Sequence, residues 1–162
     1  MNYLLKLFHW IYYTYHKFRL SKSSISHKKL KNYVNEDGYS FQGIVKTNIL
    51  FVHIPKCAGV SINNLLYNNL GGGHRTILFY MSIFSPKEFN KLYKFTVLRE
   101  PLDRFESAYY FLKRGGFKNS LDLNYKELYI DKSKNINDFV LNVFNKKLSN
   151  EILHFRPQSK FI

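Results

Sequence analysis

Residues 48–66, NILFVHIPKCAGVSINNLL, decide the fold. Residues 48–54 form a short apolar run with β-branched Ile49, Val52 and Ile54, closed by Pro55, and they read as a buried strand. Residues 55–59 then make a loop. From Ser61 to Leu70, the residues Ile62, Leu65, Leu66 and Asn69 recur at helical spacing, and glycines 71–73 end the run. A helix N-terminus just beyond a strand offers unpaired N–H groups and the positive end of a dipole, which suits an anion. Gly59 lets the backbone come close to that anion, Lys56 adds a full charge and Ser61 adds a hydroxyl. The pattern is not a Walker loop, because Lys56 precedes Gly59 and no G-x-x-x-x-G-K-[ST] occurs. An ordinary strand-to-helix turn with a surface lysine would show the same residues.

Working outward, residues 76–81 (TILFYM) read as a second strand. Ser85-Pro86-Lys87-Glu88 starts a short helix, with a hydroxyl cap, proline at the first position and Glu at the third. Residues 94–99 (KFTVLR) read as a third strand, and Pro101 opens a helix that runs through Phe111 to Arg114 and stops at Gly115-Gly116. Residues 117–134 are polar and studded with aromatics but have no clear period, and residues 138–148 read as a further amphipathic helix. Strands alternating with helices imply an α/β domain with a mainly parallel sheet.

A second constellation is LREPLDRFESAYY, residues 98–110. Arg99 falls at the C-terminal end of a strand, where parallel sheets bind ligands. Ser107 lies about two turns into the next helix and can face the same crevice. A guanidinium with a hydroxyl makes a fork for a second phosphate. The alternative is surface ion pairing of Arg99 and Arg104 with Glu100, Asp103 and Glu106, and for Arg104 that is the expected outcome.

The chain has 162 residues, the length of one domain, with 25 Lys and Arg against 11 acids and a formal charge of +14. Such a charge speaks of partners rather than fold: nucleic acid, an anionic membrane, a polyphosphate cofactor, an acidic polymer, or only a solvated basic surface. The single cysteine, Cys57, excludes an intrachain disulfide and a cysteine-rich metal site. Residues 3–20 carry too many charged and polar groups for a spanning helix or a secretory signal, so the expected location is cytoplasmic.

Residues 1–35 are a distinct basic piece without an acid, and 36–162 form the expected domain proper. Leu4, Phe8, Ile11, Tyr15 and Phe18 share one helical face, and Lys6, His9, Tyr13, His16 and Lys17 share another. This amphipathic helix either lies on an anionic membrane or docks its aromatic face on the domain, and residues 21–26 read as a linker after it.

Together with HFRPQSKFI (residues 154–162), the segments HIPKCAGVSI and LREPLDRFESAYY resemble the carbohydrate sulfotransferase family of the Golgi-type and bacterial family-2 kind, over residues 48–162. The resemblance implies a three-layer, P-loop-NTPase-like fold. It implies sulfuryl transfer from 3′-phosphoadenosine-5′-phosphosulfate (PAPS) to a hydroxyl of a carbohydrate or glycolipid, without a metal. Pro55, Lys56, Cys57, Ala58, Gly59, Val60 and Ser61 would hold the 5′-phosphosulfate, and Arg99 and Ser107 the 3′-phosphate. His154, Arg156 and Gln158 would lie toward the acceptor. Cys57 stands where the family often has threonine, which removes one hydroxyl without making the thiol a nucleophile. Family members usually continue with another strand and helix beyond this segment, so the last elements are expected to be missing.

Sulfuryl transfer needs a base for the acceptor hydroxyl and positive charge for the leaving oxygen. Lys56 suits the second task. His74, after the glycine run, is the favoured base, with His154 and then Glu106 behind it; a solvent-exposed loop histidine is the plain alternative for His74. Two rival functions remain. A Mg²⁺-dependent phosphotransferase would want an apolar strand ending in Asp, and none occurs. A non-enzymatic basic protein that binds membrane surfaces or nucleic acid would leave both anion-binding turns unexplained, and no nucleic-acid partner is expected.

Overall fold

The structure is a computed structural model that describes residues 3–22, 41–71 and 73–162. They divide into two units, Met1–Ile54 with Ala58–Val97 and Phe161–Ile162, and Pro55–Cys57 with Leu98–Lys160. The expected boundary after residue 35 lies outside the described residues. Helix α1 (Tyr3–Lys22) extends into the expected linker, whose remainder is also outside them.

In the first unit, α2 (Gln42–Thr47) leads into β1 (Ile49–Val52), which pairs in parallel with β2 (Tyr93–Thr96), Ile49 opposite Tyr93 and Val52 opposite Thr96. Leu50, Phe51, Val52 and Ile54 are all buried, as the unbroken apolar run required. Among the described residues this two-stranded sheet is the only one, so the protein is mixed α/β and mostly helical.

Helix α3 (Gly59–Tyr67) follows the loop and ends at Asn68, whose left-handed backbone closes it before the glycines are reached. The expected second strand is instead a helix, α4 (Ile77–Ile83). The Thr76 hydroxyl accepts from the Phe79 amide, and Tyr80 and Ile83, three residues apart, are both buried. Helix α5 (Pro86–Lys91) has the complete capping box expected of Ser85 and Glu88.

α1 packs on α4 and α5. It does so through the face expected to be polar: His9 is fully buried, and its Nε2 lies 3.0 Å from the Met81 carbonyl and 3.2 Å from that of Phe84. The aromatic face, expected either to lie on a membrane or to dock on the domain, is not the docked one, and Phe8 and Ile11 remain exposed. An imidazole N–H can serve carbonyls at the end of a helix, which an apolar side chain cannot.

In the second unit, α6 (Pro101–Lys113) opens at the proline as its sequence dictates, with the Glu100 carboxylate accepting from the Asp103 amide. The stretch read as irregular contains α7 (Ser120–Tyr125), which runs on into a π-helical turn (Lys126–Ile130). The single helix expected over 138–148 is two, α8 (Ile136–Asn142) and α9 (Lys146–Glu151), because Asn145 caps the second by accepting from the Leu148 amide. Short 3₁₀ turns at Leu153–Phe155 and Gln158–Lys160 follow. The core of this unit joins Ala108, Tyr109 and Leu112 of α6 to Ile130, Phe139, Leu148, Ile152 and Phe155.

Candidate active site

The second unit gathers positive charge around Pro55–Cys57. Arg104 is not the surface residue expected. It shares the α6 face of Ala108 and Leu112, at steps of four, and is only 5% exposed. Its Nε donates to the Pro55 carbonyl at 2.9 Å, which pins the loop, while its Nη2 is buried without a hydrogen-bond partner.

Lys56 has left-handed backbone, φ 66°, a conformation that costs a residue with a Cβ and that a fold retains where function or packing demands it. Its Nζ lies 4.0 Å from the centre of the Phe111 ring. Burial pushes the Lys56 ammonium below the ordinary lysine value, the neighbouring Arg114 and Arg99 push it further, and Asp122 opposes them. Arg114 thus belongs to the cluster, although the sequence marked it only as a helix end.

Cys57 is buried, and burial raises its thiol above the ordinary value against the pull of Arg104. Its Sγ donates to Gln158 Oε1 at 3.4 Å. Gln158 also grips both sides of one peptide position: Oε1 accepts from the Arg99 amide at 3.0 Å, and Nε2 donates to the Arg99 carbonyl at 2.8 Å. Arg99 itself is exposed, and Ser107 is half-buried on α6.

His154 and Arg156, expected toward an acceptor, are engaged within the unit. His154 is buried, with Nε2 3.6 Å from Asp122 Oδ1 and its ring against Phe111; burial lowers its proton affinity more than Asp122 raises it. Arg156 donates through Nε and Nη2 to the Asn150 carbonyl.

The first unit holds the remaining candidates. Ala58, with φ 58°, precedes α3 without a side-chain cap, and Val60 and Ser61 are exposed in the first turn. Gly59 has a second reason to be glycine: a Cβ there would lie 1.8 Å from the His53 ring. That ring is buried, stacks on Phe51, and has Nδ1 3.4 Å from the Asn63 amide nitrogen. Burial pushes His53 down to about 4, so it is neutral at ordinary pH. His74 lies against it, ring centres 4.2 Å apart, with its Nδ1 3.3 Å from the His53 carbonyl and a backbone φ of 35°. Among the described residues no cluster of His, Cys, Asp or Glu could hold a metal ion.

Strand β1 feeds the turn that bears Lys56, and Arg99 follows three residues after the end of its parallel partner β2. The model of the sulfotransferase family matches residues 44–162, most of the chain, and the protein belongs to that family. No curated protein and no solved structure matches the chain.

Proposed function

We propose that this family member transfers the sulfuryl group of PAPS to a carbohydrate hydroxyl, on a three-layer, P-loop-NTPase-like fold whose parallel β1–β2 pair is its centre. The observation that carries the proposal is the cation cluster. Lys56, Arg99, Arg114 and buried Arg104 surround one loop with Asp122 as the opposing acid, and one buried guanidinium nitrogen lacks a partner. So much like charge is held together at a cost that a polyanion offsets.

PAPS supplies the sulfuryl group and departs as adenosine 3′,5′-bisphosphate. The contiguous stretch Lys56–Ser61 takes the phosphosulfate, and Arg99 with Ser107 takes the 3′-phosphate. His74 accepts the hydroxyl proton as the acceptor oxygen bonds to sulfur, and Lys56 balances the charge on the oxygen that leaves. Adenosine 3′,5′-bisphosphate at a hundredfold excess over its Kd should raise the Tm by roughly 5–10 °C, with EDTA present. No shift, or one that needs Mg²⁺, overturns the proposal.

Gln158 serves the donor side of this site as a positioning residue, since it fixes the Arg99 backbone by hydrogen bonds to its N–H and its carbonyl. Gln158→Leu and Arg99→Ala should each weaken adenosine 3′,5′-bisphosphate about tenfold or more and leave adenosine 5′-phosphate nearly unchanged. In the double variant the losses should not add, because both act on one contact. Calorimetric titration of the two nucleotides is the check; additive losses, or equal losses on both nucleotides, would remove Gln158 from this role.

A further inference from the structure

The face of α1 opposite its docking seam is apolar, and sulfuryl transfer has no use for it. His9 marks the centre of the seam. At roughly 100° per residue, Leu7 and Ile11 lie opposite His9, with Phe8 and Trp10 a quarter turn to either side. All four are exposed, Trp10 by 58% and Ile11 by 53%. A continuous apolar strip of this kind on a surface helix marks an interaction site.

Charge selects the occupant. Lys6 and Lys17 are exposed and lie on the Trp10 flank, between the seam and the apolar strip. Residues 1–35 contain seven Lys or Arg (Lys6, Lys17, Arg19, Lys22, Lys28, Lys29 and Lys31) and no acid. Lysines beside an apolar strip can bury their stems and lift their ammonium groups to a layer of phosphates. A nucleic acid would have no use for Leu7 and Ile11, and an apolar protein groove would have none for the lysines. No described helix is long and apolar enough to cross a membrane.

We propose that α1 rests its Leu7–Ile11 face in the interface of an anionic lipid bilayer, with Lys6 and Lys17 on the lipid phosphates, and so holds the enzyme on a membrane surface. This does not depend on the sulfuryl-transfer reading.

Trp10 is the single tryptophan of the chain and sits on the proposed contact, so its fluorescence reports the event directly. The full chain should show a blue-shifted Trp10 emission and should co-sediment with vesicles of phosphatidylcholine and phosphatidylglycerol. Both effects should weaken as salt rises. Leu7→Ser with Ile11→Ser should abolish both and leave the His9 seam intact, with circular dichroism verifying the fold. Lys6→Glu with Lys17→Glu should lower affinity for these vesicles at least about tenfold. Equal binding to pure phosphatidylcholine overturns the anionic assignment. An unchanged emission with either vesicle overturns the membrane contact. A lipid-independent blue shift that grows with protein concentration, together with dimer in equilibrium sedimentation, shows that a second copy covers the face instead.

Discussion

His74→Ala should lower turnover by about 10²–10⁴-fold and leave the affinity for adenosine 3′,5′-bisphosphate intact, the signature of a lost general base. The expectation rests on the state of the imidazole. A carbonyl oxygen only accepts, so the Nδ1 that lies 3.3 Å from the His53 carbonyl carries the proton, and the lone pair sits on Nε2. The ring beside it, that of His53, is neutral above about pH 4 and so does not oppose a second positive charge when His74 takes up a proton. The φ of 35° at a residue with a side chain is a further cost, of the kind that functional positions retain. His74→Gln separates the two roles: an amide can keep the hydrogen bond to His53 but cannot take a proton, so it should be as inactive as alanine. The assay is release of adenosine 3′,5′-bisphosphate from PAPS with a pool of oligosaccharide acceptors. Normal turnover in His74→Gln would move the role to His154 or Glu106. The first of these is already held by Asp122 and buried, while Glu106 is exposed on α6.

The parts of the fold that could be read from the sequence are those where a single residue type forces local geometry. Pro86 and Pro101 each open a helix at the first position, and Ser85 with Glu88 forms its capping box. The apolar run of β1 is buried from Leu50 to Val52, as a buried strand requires; that its partner is the strand before Arg99 is shown only by the structure. Residues 76–81 misled because a short apolar run suits a buried strand and a buried helix alike; the deciding signal was Thr76, which can cap a helix. Asn145 would likewise have divided the helix expected over 138–148.

The site was legible as two turns, but its charge was not. Arg104 looked like a surface ion-pair partner because three acids lie near it in sequence. The spacing Arg104–Ala108–Leu112 places it on the buried face of α6, and a helical projection would have shown this. Gln158 could not have been assigned to Arg99 by spacing, since 59 residues separate them and only the folded chain joins them. The two faces of α1 were legible, but not that the His9 face is the docked one, because the approach of an imidazole to the carbonyls of Met81 and Phe84 is a tertiary fact.

Lys56→Ala should cost about 10²–10³-fold in turnover, far more than it costs in nucleotide binding, because a charge aimed at a leaving oxygen counts most when that oxygen becomes negative. The surroundings of Lys56 give a second readout. Burial, Arg114 and Arg99 hold its ammonium below the ordinary value of 10.5, with Asp122 opposing. A bound anion favours the charged form and raises that value again. The sign follows from linkage: nucleotide binding draws a proton onto Lys56 when the free protein has lost it. Affinity should therefore decline as pH rises through the depressed value, before an ordinary lysine would titrate. Lys56→Ala should flatten this part of the pH profile, whereas Lys113→Ala, an exposed lysine one residue before Arg114, should leave it unchanged. Lys56→Arg restores charge but not shape, since a planar guanidinium replaces a compact ammonium above the Phe111 ring; it should regain binding more fully than turnover. Titration of adenosine 3′,5′-bisphosphate between neutral pH and 10 gives the profile, and single-turnover kinetics give the chemical step. Losses of binding and turnover in equal proportion, with the pH profile unmoved, would make Lys56 a surface lysine of the turn and leave the leaving oxygen to Arg99 or Arg114.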